Sequence, residues 1–279
     1  VRIEDKKTVK KHYGLKDLHA TIVDAYKQSG KEINTHEDTS EFDEFHIRGR
    51  EATREMAELS NLKKGMSVLD LGSGVGGTAR FLAAEYECHV TGVDLAEEYC
   101  QIAANISDQV GLSHLVQFKQ GDITDLPIDD NAFDIVWIAH VNMNILNKKA
   151  LISEAARVLK AGGTFAVYEI CAGNNTPPHF PVPWAEDPSI SFLVKPQELR
   201  TMLIEKGFKE KHWRDVSEIS KGWFINILNA LRDRPSDAPP PLGINLLMGS
   251  TAGDKTKNVL INLNEDRVRV VQGIFELNT

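Results

Sequence analysis

Val68-Leu69-Asp70-Leu71-Gly72-Ser73-Gly74-Val75-Gly76-Gly77 reads as an apolar strand that runs into a glycine-dense turn, with an acid two places ahead of the first glycine. Glycines let the backbone adopt torsions that a Cβ forbids and bring a ligand close to the main chain. The amides that open the helix after such a turn face outward with a partial positive charge. About twenty residues beyond Gly74, the spacing at which a ribose-binding acid is expected, His89-Val90-Thr91-Gly92-Val93-Asp94 reads as a second strand ending in an acid. Asp94, with Leu95 beside it, is placed to hold a nucleoside ribose. Gly72, Gly74 and Gly76 form the backbone cradle, and the expected ligand is an adenosyl cofactor.

Two cofactor classes compete for this stretch. Gly72, Gly74 and Gly77 match a dinucleotide fingerprint by spacing, and Asp94 suits NAD as well as any other ribose ligand. Asp70 separates them. A pyrophosphate beside that carboxylate is repelled, whereas the ammonium of S-adenosylmethionine is attracted.

The glycine run resembles motif I of the class I S-adenosylmethionine-dependent methyltransferases, and later segments agree in order. Gly121-Asp122-Ile123, after the strand-like Leu115-Val116-Gln117-Phe118, resembles the family's adenine site, with Asp122 near the exocyclic amine and Ile123 on the ring. Leu126-Pro127 through Asn131-Ala132-Phe133-Asp134-Ile135-Val136 resembles the loop and fourth strand that follow. Glu154-Ala155-Ala156-Arg157-Val158-Leu159-Lys160-Ala161-Gly162-Gly163-Thr164 resembles the next helix, turn and strand. The resemblance implies a Rossmann-like α/β fold, a seven-stranded mostly parallel sheet with helices on both faces. An N-terminal helical cap and a helical insertion before the last strand are added to it. That layout is similar to the sarcosine and dimethylglycine N-methyltransferases and implies a small-molecule acceptor.

The chain has 279 residues, 42% of them hydrophobic and 26% charged, enough for one sizeable α/β core with additions. A net charge of −8 and no basic face speak against nucleic acid as the substrate. Three cysteines, Cys88, Cys100 and Cys171, lack metal-ligand spacing and read as reduced, so no metal is expected. No apolar run is long enough for a membrane helix and the amino terminus is charged, so a cytoplasmic protein without membrane partners is expected, with a homodimer left open. Lys6-Lys7 and Lys10-Lys11 read as solvated faces with no assigned role.

Along a single domain, 1–59 reads as a helical cap, with helices over Lys7–His12, Leu18–Gln28 and from about Arg48. Residues 60–172 form the cofactor-binding core. The Pro-, Gly- and Asn-rich stretch 173–195 reads as a lid loop just past a strand end, where ligands bind in open α/β sheets. Segment 217–265 reads as a helical insertion over the acceptor, with helices near Gly222–Leu231 and Thr251–Leu263 and a proline run at Pro239–Pro241 between them.

His140 ends the apolar run Ile135–Ala139 and should point into the site as general base, acceptor orienter or cofactor contact. Glu169 closes the fifth strand and is the second candidate base. Asn142 and Asn144 are candidate acceptor ligands. Tyr13, Phe180, Trp184 and Trp223 could form an aromatic wall for an ammonium group. One arginine of Glu44-Phe45-His46-Ile47-Arg48-Gly49-Arg50 could grip the cofactor's carboxylate, with His46 and Arg48 as the weaker choices. The expected activity is methyl transfer from S-adenosylmethionine to a small molecule, with an amine as the first choice. The alternatives are oxygen or carbon of a natural product or lipid-like metabolite, with His140 or Glu169 as base, and an adenosyl-binding protein without catalysis.

Overall fold

The computed structural model describes residues 3–14, 18–235 and 242–278, so the Pro239–Pro241 run lies outside the described residues. Three helices come first, α1 (Ile3–Tyr13), α2 (Leu18–Ser29) and α3 (Gly49–Leu59). Strand and helix then alternate through β1 (Ser67–Leu71), α4 (Gly77–Tyr86), β2 (His89–Asp94), α5 (Glu97–Gln109), β3 (Val116–Gln120), β4 (Phe133–Ala139), α6 (Lys148–Val158), β5 (Leu159–Ala172), α7 (Pro196–Glu205) and β6 (Phe208–Asp215). Helices α8 (Ser217–Arg232), α9 (Asn245–Met248) and α10 (Ala252–Asn264) precede β7 (Val268–Leu277).

The seven strands make one sheet in the order β3-β2-β1-β4-β5-β7-β6, and only β7 runs antiparallel to its neighbours. This is the expected Rossmann-like sheet. β1 is buried on both faces because its apolar residues alternate between two cores: Val68 packs into one, Leu69 and Leu71 into the other. Local signals agree with the global arrangement. Glu97 and Glu98 occupy the first turn of α5, where the helix dipole favours acids, and Pro196 opens α7, where its missing N–H costs nothing.

From β1 the chain winds outward to β2 and β3, then crosses back to place β4 on the other flank of β1. The reversal opens a crevice at the carboxyl ends of β1 and β4. The cap closes it from above. Asp43, in the loop between α2 and α3, meets Arg80 of α4 at 2.7 Å with both side chains fully buried. Removing either partner would strand a buried charge, at a cost of about 3–5 kcal/mol. Tyr13 of α1 donates to Asn144 Oδ1 at 2.8 Å, tying the first helix to the turn after β4.

Candidate active site

The crevice holds a cavity of ≈ 1280 Å³, its open mouth included, walled by the ends of β1 to β4 and by α1 and the cap loop. Gly72 and Gly74, with φ of +72° and +54°, turn the chain out of β1. The Gly72 amide donates to Val93 O at 2.7 Å, which fixes the turn against β2. A Cβ on Gly72 would lie 2.4 Å from Val141 Cγ2, so the turn after β4 needs glycine there. At Gly74 a Cβ would meet nothing within 4 Å, because that side faces open space. Gly76 is not on the wall: it caps α4 in the left-handed region, and its role is in packing rather than in the cradle.

Asp94 accepts from Gly74 N and from Ala96 N, both at 2.9 Å, so one carboxylate joins the glycine turn to the start of α5. Leu95 and Ile123 line the same cavity. Asp70 is buried with Oδ2 unpartnered, and its pKa is raised to about 8 by burial, with Glu44 and Asp94 adding like charge. Asp122 also lines the cavity but is ion-paired with Lys6 of α1, and its Oδ1 accepts from Thr124 N at 2.9 Å and Thr124 Oγ1 at 2.7 Å. Burial alone would raise the Asp122 pKa; Lys6 and Thr124 outweigh it and hold it below the usual value. Lys6 is therefore a wall residue and not part of a merely solvated face.

His140 sits past the end of β4 with φ +54°, a strained torsion for a residue with a Cβ. Its amide donates to Tyr168 O at 2.8 Å, and its ring stacks on Tyr168 with centroids 4.9 Å apart. Nδ1 lies 3.1 Å from the same carbonyl and must carry the hydrogen, which leaves Nε2 as a bare acceptor; that atom is buried and unpartnered. Burial, reinforced by His46, lowers the His140 pKa to about 3, so the ring is neutral.

The other candidate base is turned away. Glu169 is fully buried and accepts from the amides of Val141 at 3.2 Å and Asn142 at 3.1 Å, fixing the turn that carries His140. Its pKa rises to about 8 because burial outweighs those amides. Neither Glu169 nor Asn142 lines this cavity or the second chamber beside it, so the structure does not bring them to either wall. Asn144 reaches the wall, but its amide is spent on Tyr13, Trp184 O and Ile190 O. Phe180 packs against the core and is not on the wall of this cavity or of the second chamber. Tyr13, Trp184 and Trp223 line a second chamber that shares Tyr13, Phe45, His46 and His140 with the first.

Neither arginine of the Glu44–Arg50 stretch is available for a cofactor carboxylate. Arg48 contacts Glu55 and Glu51, both at 2.8 Å, and Arg50 is bound to Glu44 and to Glu37 at 3.2 Å. His46 is buried with Nε2 3.1 Å from Gly49 O, and burial lowers its pKa to about 4. Sequence reasoning missed Asp43, Tyr99 and Phe45, cap and helix residues whose place on the wall depends on tertiary packing. Away from the cavity, His36 lies 3.3 Å from Glu37 and 3.1 Å from Glu85 at the surface, a grouping that the sequence spacing did not suggest.

The wall fits an adenosyl sulfonium ligand. Buried atoms with no protein hydrogen-bond partner converge on it: Asp43 Oδ1, Asp70 Oδ2, Ser73 Oγ, Tyr99 Oη and His140 Nε2. Most are acceptors or hydroxyls, as a cation and a ribose require, and the acids at 70 and 94 disfavour a pyrophosphate.

Comparison with known proteins agrees. Residues 69–167 match the family described as a methyltransferase domain. Over 170 residues the chain is 32% identical to the glycine/sarcosine/dimethylglycine N-methyltransferase of Actinopolyspora halophila, covering 61% of this chain and 30% of that protein. Over 185 residues it is 32% identical to a sterol 24-C-methyltransferase of Gibberella zeae, covering 63% of this chain and 49% of the relative. The chain thus spans less than half the length of either. Among solved structures, the [4+2]-cyclase SpnF superposes with a TM-score of 0.63 at 26% identity, covering 82% of this chain and 81% of that one. Sheet order, glycine cradle and the sequence match over residues 69–167 identify that core as a methyltransferase domain of the class I S-adenosylmethionine-dependent kind.

Proposed function

We propose that the chain methylates a small-molecule amine, taken as its neutral free base, beside His140 Nε2. When bound, S-adenosylmethionine supplies an electrophilic methyl group and departs as the thioether. Gly72 and Gly74 give it backbone room, Asp94 holds the ribose, Asp122 and Ile123 receive the adenine, and Asp70 faces the cationic end.

One observation supports the amine over oxygen or carbon: neither His140 nor Glu169 can serve as the base, and Asp70, the unpartnered carboxylate on the wall, is given to the cationic end of the ligand. Glu169 is pinned to two amides, and the deeply buried His140 has too little basicity to remove a proton from a hydroxyl or a carbon acid. A neutral imidazole there accepts a hydrogen bond from the acceptor's N–H and so orients its lone pair. The nitrogen lone pair bonds to the methyl carbon as the carbon–sulfur bond breaks, and the extra proton on nitrogen passes to solvent. Holding the two reactants in line can contribute about 7–11 kcal/mol. The relative named for glycine, sarcosine and dimethylglycine agrees with nitrogen; the sterol relative is the counterweight.

The likeness to a cyclase gives a second reading, in which the adenosyl ligand binds without donating its methyl. Labelled S-adenosylmethionine incubated with a panel of amines, phenols and carbon acids separates the two. Label in an amine product supports the proposal; label confined to oxygen or carbon products, or binding without transfer, overturns it.

A further inference from the structure

The second chamber identifies what the acceptor is attached to. It encloses ≈ 490 Å³ with its mouth included, between the turn after β4 and helices α8 to α10. Its walls are Ile170, Trp184, Trp223, Phe224, Met248 and Val259, with Tyr13 and His140 at the junction with the cofactor cavity. No Asp, Glu, Lys or Arg is among the described residues that line it.

The polar side-chain atoms on this wall are mostly committed elsewhere. Tyr13 Oη donates to Asn144 at 2.8 Å, Trp184 Nε1 to Ser191 Oγ at 3.0 Å, and Thr256 Oγ1 to Ala252 O at 2.8 Å. His46 Nε2 donates to Gly49 O at 3.1 Å. His140 Nε2 is the buried atom of this wall that has no partner. An anionic group placed here would lose its hydration and gain no cation, because Arg48 and Arg50 already serve glutamates of the cap.

We infer that the acceptor has an apolar, ring-sized body and carries no carboxylate or phosphate, and that it presents a single N–H to His140 Nε2 at the junction of the two cavities. This rests on the methyl-transfer reading and narrows it. Zwitterionic glycine derivatives and phosphorylated ethanolamines are excluded by the wall, and aryl-alkyl amines fit it.

The test is calorimetric titration of the full chain saturated with S-adenosylhomocysteine, using benzylamine, benzyltrimethylammonium, dimethylglycine and phosphoethanolamine as probes. Benzylamine should bind, and its affinity should rise by up to about tenfold per pH unit as the free base becomes available. The other three should not bind. Thr256→Trp and Trp223→Ala should each weaken benzylamine at least about fivefold and leave S-adenosylhomocysteine affinity within about twofold. Binding of dimethylglycine or phosphoethanolamine overturns the inference, as does a benzylamine affinity that is absent or flat with pH. Tight binding of benzyltrimethylammonium also overturns it, since the aromatic wall would then be a cation site. Failure of S-adenosylhomocysteine to bind overturns the methyl-transfer reading instead.

Discussion

The Lys6 ammonium on α1 is ion-paired with Asp122 beyond β3, so the first helix is anchored on the carboxylate that the family resemblance assigns to the adenine amine. Lys6 and adenine therefore compete for one acceptor. Lys6→Met should tighten S-adenosylhomocysteine by up to about fivefold, the scale of a half-exposed ion pair. Asp122→Asn should weaken it. Titration calorimetry reads both, and a weaker Lys6→Met complex would mean that the lysine supports closure instead of competing.

Asp70, with a pKa near 8, gives cofactor binding a pH dependence. A cation beside it favours the ionised carboxylate, so binding releases a proton and tightens as pH rises from about 6 to about 7.5, by up to about tenfold per unit. The range stops there because the ligand's own α-amino group titrates at about 7.7–8.0. The free protein behaves oppositely. Between the unfolded value near 3.9 and the folded value the native state keeps a proton that the unfolded chain has released, so this group's contribution to stability falls as pH rises. Asp70→Asn should flatten both trends, measured by affinity and by thermal unfolding across the same pH series.

The two turn glycines should separate stability from binding. Gly72→Ala drives a methyl into Val141 and should cost roughly 2–4 kcal/mol of unfolding free energy. Gly74→Ala meets no protein atom and should cost about 1 kcal/mol for its left-handed torsion. Gly74 borders the cavity and a Cβ there would enter open space, so its S-adenosylhomocysteine affinity should drop at least about tenfold. Equal losses of melting temperature in the two variants would contradict this division.

His140 remains neutral down to a pH of about 3 because burial opposes its charging. The rate profile with an amine should therefore show no inflection from imidazole between about pH 5 and pH 8, and should follow the acceptor's own titration. His140→Ala should lower kcat about ten- to a hundredfold through lost orientation. A limb near the usual imidazole value, absent in His140→Ala, would restore a general-base role.

The cofactor half of the molecule was legible because its signals are local. Strand-turn-strand spacing put Asp70, Gly72, Gly74 and Asp94 together without any knowledge of packing, and all four line the cavity. Gly76 lies off the cavity wall, because a glycine in such a turn can serve the helix start as well as the ligand, and spacing does not distinguish the two. The acceptor side was not legible. Whether Glu169 faces solvent, ligand or backbone is decided by the amides of Val141 and Asn142, which the chain brings to it only on folding. The same holds for Lys6, which as one of a pair of lysines looks solvated, and for Asp43 and Arg80, 37 positions apart and joined only in the folded core.

The walls contributed by α8 to α10 lie between two strands whose ends are joined by the sheet itself: Asp215 pairs with Val271 in the ladder, and Val216 N donates to Val270 O at 2.8 Å. A loop sewn shut at its base can change its contents without disturbing the garment. Trp223, Phe224, Met248 and Val259 answer to the packing of this segment against the core, while the adenosyl cradle, more than a hundred residues upstream, stays under its own constraints. Grafting this segment between relatives should carry acceptor preference with it, and lineages that share the cradle can acquire new chemistry by altering this stretch alone.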